Sequence, residues 1–285
     1  MNLIDLILNF AGMLLWLNWR STRADPLEHP TKVELAGTLR RAEPRRVRRW
    51  HFLAALAALL FVRAIFYWEF GSETDWTPKL NLLVVVPAFS SKSFSAVLLF
   101  SLLGFLRMLL VVYFWLLVLT VINQRETEVT PISRMIQLQL GRVSYWPWWV
   151  RTVLPVPAVC GLWIVVHPLL VHAAVVNRVP SNAHLIQQGM LLGACLYSSL
   201  KLLLPVFLLA HLLTSYVYLG SNPFWDFTNM TARNILAPLR RMPLRFGRVD
   251  FAPLIAITLL LLLLHALPNL ILEELRQRNL TLWPQ

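Results

Sequence analysis

An all-α polytopic membrane protein, with about six transmembrane helices in three hairpins and basic cytoplasmic loops, is the fold class that the sequence predicts. Three observations carry that expectation. Apolar types make up 57% of the 285 residues, charged types only 14%, and the mean hydropathy is +0.60. A soluble domain has roughly 45–50% apolar and about 25% charged residues. The apolar residues gather into runs long enough to cross a bilayer, and the cations gather in alternate connections between those runs.

A helix needs about 20 mostly apolar residues to cross the hydrocarbon core. Spans are expected at about 3–18, 51–70, 94–122, 149–175, 188–217 and 251–272. The first is short and is followed at once by Arg20 and Arg23. It reads as an uncleaved signal-anchor with its amino terminus outside. Residues 80–89 are apolar but too few to span, hold Pro87, and read as interfacial or re-entrant. Spans three to five are long enough to tilt or to reach into the interface. The sixth is the most uniformly apolar, with a run of six leucines from Leu259 to Leu264. The expected organisation is an N-terminal hairpin (1–70, loop 18–50), a middle hairpin (94–175, loop 123–151), a C-terminal hairpin (188–272, loop 218–250) and a polar tail at 273–285.

Charge sets the orientation. The three loops 18–50, 123–151 and 218–250 hold 9, 4 and 5 Lys/Arg, whereas the opposite connections 71–93 and 176–187 hold 2 and 1. The positive-inside rule places the rich loops in the cytoplasm and both termini outside it. Trp68, Trp76, Trp146, Trp148, Trp149 and Trp283 fall near span ends, where indole rings favour the interface. A net charge of +12 would otherwise suggest nucleic acid. Its concentration in loops on one side assigns it instead to orientation and to anionic lipid, worth about 1 kcal/mol per cation near the surface. The expected partners are therefore anionic lipids and other membrane proteins or further copies of the chain, not nucleic acid. Cys160 and Cys195 lie in apolar runs and make no disulfide framework or metal signature.

The second and third hairpins agree in sequence at an offset of 94. Arg107-Met-Leu-Leu-Val-Val lies over Lys201-Leu-Leu-Leu-Pro-Val, and Leu119-Thr120 over Leu213-Thr214. A cation within the membrane at both places is the informative part of this internal repeat. The third loop carries the most specific pattern. It runs Ser215-Tyr216, Asn222-Pro223-Phe224, Pro238-Leu-Arg240-Arg241-Met-Pro243 and Gly247-Arg-Val249-Asp250-Phe251-Ala252-Pro253, then enters a Leu-rich helix. This stretch, about 189–272, resembles the YggT family of integral membrane proteins. In that family a Ser-Trp-like pair, an Asn-Pro, a Pro-x-x-Arg-x-x-Pro and a Gly-x-Ile-Asp-x-Ser-Pro follow in the same order. His211 stands where the family has Arg, Tyr216 where it has Trp and Ala252 where it has Ser. The middle loop keeps Arg134 and Trp146-Pro147 but lacks the Asp-x-Ser-Pro. The chain thus reads as a divergent, enlarged member with one typical repeat, which implies a bacterial cytoplasmic (inner) membrane protein.

The loop also reads by its own chemistry. Ser221 or Asn222 can cap a helix whose first residue is Pro223, where the missing N–H costs nothing. Phe224, Phe227, Ile235, Leu236 and Leu239 recur at helical spacing among Asp226, Arg233 and Arg240, as in an amphipathic helix lying in the interface. Pro238 and Pro243 end it, Gly247 permits a tight turn, and Asp250 is expected to cap the final span. The plain reading is a device that returns the chain to the bilayer. The sharper one makes Arg240, Arg241 and Asp250 a surface for a partner or an anionic headgroup.

No phosphate loop, nucleophile elbow or zinc motif is present, so no catalytic residue, metal ligand or cofactor is assigned and no enzyme is expected. The remaining candidates are polar residues within spans, which are costly there: Arg63, Arg107, Lys201 and His211. Spans two to five hold no acid except Glu69 at an end, so these cations must turn to carbonyls, water, lipid phosphate or a bound anion. Pro205 is the strongest expected break in a long span. His167 and His172 lie about 140° apart on one helix and cannot share a face, which leaves His211 with His265 as weak candidates for a b-type haem. Plastid relatives of the family are associated with b-type cytochrome assembly. The function expected first is a non-catalytic protein that assists assembly or organisation of membrane complexes, or an accessory subunit of one. A transporter or channel for an ion or small anion, using the intramembrane cations, comes second, and a haem protein third.

Overall fold

The computed structural model describes residues 3–21, 49–73, 77–82, 86–124, 130–179, 181–217, 220, 222–239, 245–246 and 249–277. Among the described residues the chain is all-α apart from one pair of two-residue strands. Ten described α-helices follow in order: α1 Leu3–Ser21, α2 Arg49–Glu73, α3 Phe94–Ile122, α4 Pro131–Leu140, α5 Trp148–Val153, α6 Pro155–His172, α7 Asn182–Cys195, α8 Leu200–Tyr216, α9 Pro223–Leu236 and α10 Ala252–Gln277. Strands β1 (Arg245–Phe246) and β2 (Val249–Asp250) pair antiparallel between α9 and α10.

Among the described residues four helical stretches are long and apolar enough to cross a membrane: Trp50–Gly71, Phe94–Ile122, Trp148–His172 and Asn182–Tyr216. Ala252–Ala266, within α10, is a shorter apolar stretch. These helices make the chain a polytopic membrane protein. The first expected span forms a 19-residue helix but falls outside the four. Asp5 and Asn9 interrupt its apolar sequence, and both are buried.

The chain divides into two compact units, residues 1–80 with 88–109, and residues 81–87 with 110–285. In the first, α1 lies along α2. Leu56, Leu60 and Phe105 form its apolar centre, with Leu15, Trp16 and Leu109 packed around them. Gly12 lets α1 come close, since a Cβ there would lie 3.0 Å from the Phe105 ring. The apolar stretch at 80–89 is not helical where it is described. Lys79 bridges Ala88, and Phe89 N–H donates to Pro78 O at 2.9 Å. Ten residues are too few to cross, and Pro87 has no N–H for a helix to use.

In the second unit α6 packs on α7, and α8 packs on α9 and α10. The α6–α7 contact depends on two glycines one turn apart. A Cβ on Gly189 would lie 2.9 Å from Cys160 Cα, and one on Gly193 would lie 2.7 Å from Val156 O. Small residues at i and i+4 let helix backbones touch in a membrane, where dispersion replaces the hydrophobic effect as the driving force.

The fifth span is longer than expected. It begins at Asn182 instead of 188 and comprises α7, a 3₁₀ turn at Leu196–Ser199 and α8. The interruption therefore precedes Pro205, through which α8 continues. Ser198 Oγ donates to Cys195 O at 2.8 Å, an i−3 bond that suits the tighter turn. Tyr197 Oη donates to Thr152 O of α5, and Trp115 Nε1 donates to Ser199 Oγ at 3.1 Å, so the turn is held from two sides.

Two short amphipathic helices lead back toward the spans, and both begin the same way. Thr130 caps α4, its side chain accepting from Ser133 N, and Pro131 opens the helix. Asn222 caps α9, its Oδ1 accepting from Phe224 N at 3.0 Å, and Pro223 opens that helix. The helix α4 stops at Gly141, whose φ of 59° is strained for any residue with a Cβ. The expected interfacial helix of the third loop is thus α9, with Phe227 and Leu236 on its buried side. Asp250 does not take the cap position of α10. Phe251 O accepts the first helical bond from Ile255 N, and Asp250 lies one residue earlier, paired in register with Arg245.

Candidate functional site

Polar side chains inside an apolar protein are the candidates for function, and among the described residues each compact unit holds a group of them; Gln188, which accepts from Trp163 Nε1 at 3.3 Å, adds a separate buried contact between α6 and α7. In the first unit the group centres on Arg63, which is 3% exposed. Arg63 Nη2 lies 2.7 Å from Asp5 Oδ1 and Nη1 donates to Asn9 Oδ1 at 2.8 Å. Tyr67 Oη donates to the same Asp5 oxygen at 2.5 Å. The guanidinium carbon sits 5.5 Å from the Phe100 ring centre and 5.6 Å from that of Tyr67. Gly104 of α3 closes the side, where a Cβ would come 3.3 Å from Nη2. Arg63 Nε and Asn9 Nδ2 find no hydrogen-bond partner among the described residues.

This arrangement corrects the expectation that Arg63 turns to carbonyls, water or an anion. Its counter-charge is a carboxylate on α1. Pairing and hydrogen bonding are what make a buried charge tolerable, because an isolated ion in a low-dielectric medium costs many kcal/mol. Chemically, the group is a neutralised ion pair that fastens α1 to α2.

In the second unit the polar groups lie where α3, α4, α5, α8 and α9 meet. His211 Nδ1 donates to Asn229 Oδ1 at 2.8 Å, and Thr214 Oγ1 donates to the same oxygen at 2.6 Å. Asn123, just beyond α3, donates from Nδ2 to Thr231 Oγ1 at 2.9 Å and accepts from Asn234 Nδ2 at 3.0 Å. An apolar cluster of Leu117, Leu119, Ile136, Leu140, Leu203 and Phe227 lies beside these bonds. A half-open cavity of about 210 Å³ adjoins them, with Arg151, Asn123, Thr120, Ser133 and Ser144 on its wall and Phe227 from α9. Arg151 Nη1 reaches Thr120 O at only 3.4 Å, and its Nε has no hydrogen-bond partner among the described residues.

The other expected residues are scattered. Arg107 is half-buried in α3 and Lys201 is exposed at the start of α8; neither side chain has a hydrogen bond or ion pair with a described residue. His265 is exposed in α10 and lies 3.4 Å from Asn269 Nδ2, so His211 and His265 each have an asparagine partner. Arg240 and Arg241 lie outside the described residues, and of Asp250 only the strand pairing is described. Cys160 and Cys195 are buried free thiols. Among the described residues no three His, Cys, Asp or Glu side chains are grouped as a metal site.

Asp5, Asn9 and Tyr67 were not foreseen as members of a polar group. Their signal was spacing. Asp5 and Asn9 are four apart, as are Arg63 and Tyr67, so each pair occupies one helix face.

Residues 190–271 match the CCB3/YggT family model. The matched segment takes in α8, α9, the strand pair and most of α10, including the His211–Asn229 junction. No curated protein and no solved structure gives a significant match to the chain.

Proposed function

We propose that this protein is a non-catalytic component of the bacterial inner membrane, with both termini outside the cytoplasm, that assists assembly or organisation of other membrane complexes or serves as an accessory subunit of one. The match of residues 190–271 to the CCB3/YggT model is the observation that carries this reading. The geometry agrees with it. Buried and half-buried polar side chains are spent on joining elements: Arg63 to Asp5, His211 to Asn229 and Asn123 to Thr231. Hydrogen bonds of this kind help to hold membrane helices together.

The test is native purification of the tagged full-length chain from its own membranes in mild detergent. One defined complex should accompany it in a fixed ratio. A lone or purely self-associated particle would defeat the assembly reading.

A second reading, transport of an ion or small anion, draws on the 3₁₀ interruption at Leu196–Ser199 followed by Lys201. Discontinuous helices are a common feature of transporter sites. The pairing of Arg63 with Asp5 removes one of the three cations that first suggested this function. If transport is the function, Lys201→Leu lowers flux in liposomes while leaving any partner bound.

A further inference from the structure

We infer that the cavity beside Arg151 binds the headgroup of a phospholipid whose phosphate is esterified to an alcohol or amine able to donate hydrogen bonds, such as glycerol or ethanolamine. Three features of the wall lead there. The first is unspent donor capacity. A guanidinium carries five N–H groups in a planar fork suited to phosphate oxygens. Arg151 uses one of them, in a long bond to Thr120 O, and its Nε is buried and unpartnered among the described residues. No carboxylate among the described residues lines the cavity, so Arg151 is its one charge there and the occupant it favours is an anion.

The second feature concerns the hydroxyls. Thr120 Oγ1 donates to Leu117 O at 2.7 Å, Ser133 Oγ to Thr130 O at 2.7 Å and Ser144 Oγ to Gly141 O at 2.7 Å. With their protons committed to the backbone, all three hydroxyls offer lone pairs to the cavity. Beside the carboxamides of Asn123, Gln124 and Gln137, which can donate or accept, the wall carries one cationic fork and three hydroxyl acceptors, and it complements a ligand that joins an anionic phosphate to hydroxyl or ammonium donors. Choline has no such donor and satisfies only half of the wall.

Position is the third. The cavity opens where α3 ends and α5 begins, and Trp146, Trp148 and Trp149 are exposed at the start of α5. Exposed indoles mark the headgroup level of a bilayer. A headgroup reaches the cavity at that depth with its acyl chains remaining among lipids, and about 210 Å³ has room for a phosphate and a small alcohol.

The experiment is a binding titration of the full-length protein in neutral detergent with three probes: short-chain phosphatidylglycerol, short-chain phosphatidylcholine and inorganic phosphate. The unmodified chain should bind phosphatidylglycerol at least tenfold more tightly than phosphatidylcholine. Arg151→Gln should weaken phosphatidylglycerol at least tenfold, whereas Arg142→Gln, removing an exposed cation from the same loop, should change it less than twofold. Ser144→Leu, which fills the cavity and keeps Arg151, should also weaken it, guarding against misfolding of the arginine variant. Inorganic phosphate binding as tightly as the lipid, with the same Arg151 dependence, would overturn the lipid assignment in favour of a soluble phosphate. Equal affinity of Arg151→Gln and the unmodified chain would overturn the site.

Discussion

Asp5 and Arg63 show how a single residue changes the meaning of another. A carboxylate near the start of an apolar helix looks like a poor fit to a membrane until it meets Arg63 at 2.7 Å, with Tyr67 on the same oxygen. Breaking a buried pair by removing one partner leaves an uncompensated charge and costs about 3–5 kcal/mol, whereas replacing both partners with apolar side chains costs far less. Asp5→Leu should therefore lower the thermal midpoint of the detergent-solubilised protein sharply. The double variant Asp5→Leu with Arg63→Leu should recover most of that loss. A double variant as unstable as the worse single one would mean that the pair's value lies in Arg63's contacts with Phe100 and Gly104 instead.

At the level of elements, what could be read from the sequence depended on whether the signal was local. Hydropathy is local, so four of the expected spans appear close to their expected bounds. Capping is local too, and Asn222-Pro223 marked the start of α9 correctly. The cap of α10 was misplaced by one residue because Asp250 is held in a strand pair with Arg245, a contact that no helix-start pattern encodes. The break in the fifth span was expected at Pro205, but proline inside a helix is tolerated when neighbouring groups take up the freed carbonyl. Polar contacts from Trp115 and Tyr197 hold the actual turn six to nine residues earlier, and those contacts are distant in sequence. Gly189 and Gly193 were legible in principle, since the four-residue spacing is a known helix-contact pattern. Gly193→Ala should cost about 1–3 kcal/mol, the usual range for overpacking, because its Cβ would meet Val156 O at 2.7 Å. Gly161→Ala has open space around it and should leave the midpoint unchanged or raise it by removing a helix-interior glycine. Thermal midpoints of the two variants, measured side by side, check the contrast.

For the whole molecule the decisive quantity is the number of times the chain crosses the bilayer, and one span allows a direct count. Trp148–His172 is the only stretch able to cross between α4 and the connection before α7 among the described residues. Arg134 in α4 and Arg178 in that connection are both exposed, so a cysteine at either position meets solvent or the interface. The flanking connections carry 4 and 1 Lys/Arg, and each cation held near an anionic leaflet contributes about 1 kcal/mol. A difference of that size is enough to bias the orientation of one hairpin strongly toward the loop with more cations in the cytoplasm. Arg134→Cys should accordingly react with an impermeant maleimide only in inside-out vesicles, and Arg178→Cys only in intact spheroplasts. The native thiols of Cys160 and Cys195 are buried and give a low background. Both introduced cysteines reacting from the same side would mean that α5 and α6 do not cross, which would undo the hairpin plan. Reaction from opposite but exchanged sides would keep the plan and invert the molecule, placing the Arg151 cavity at the outer leaflet.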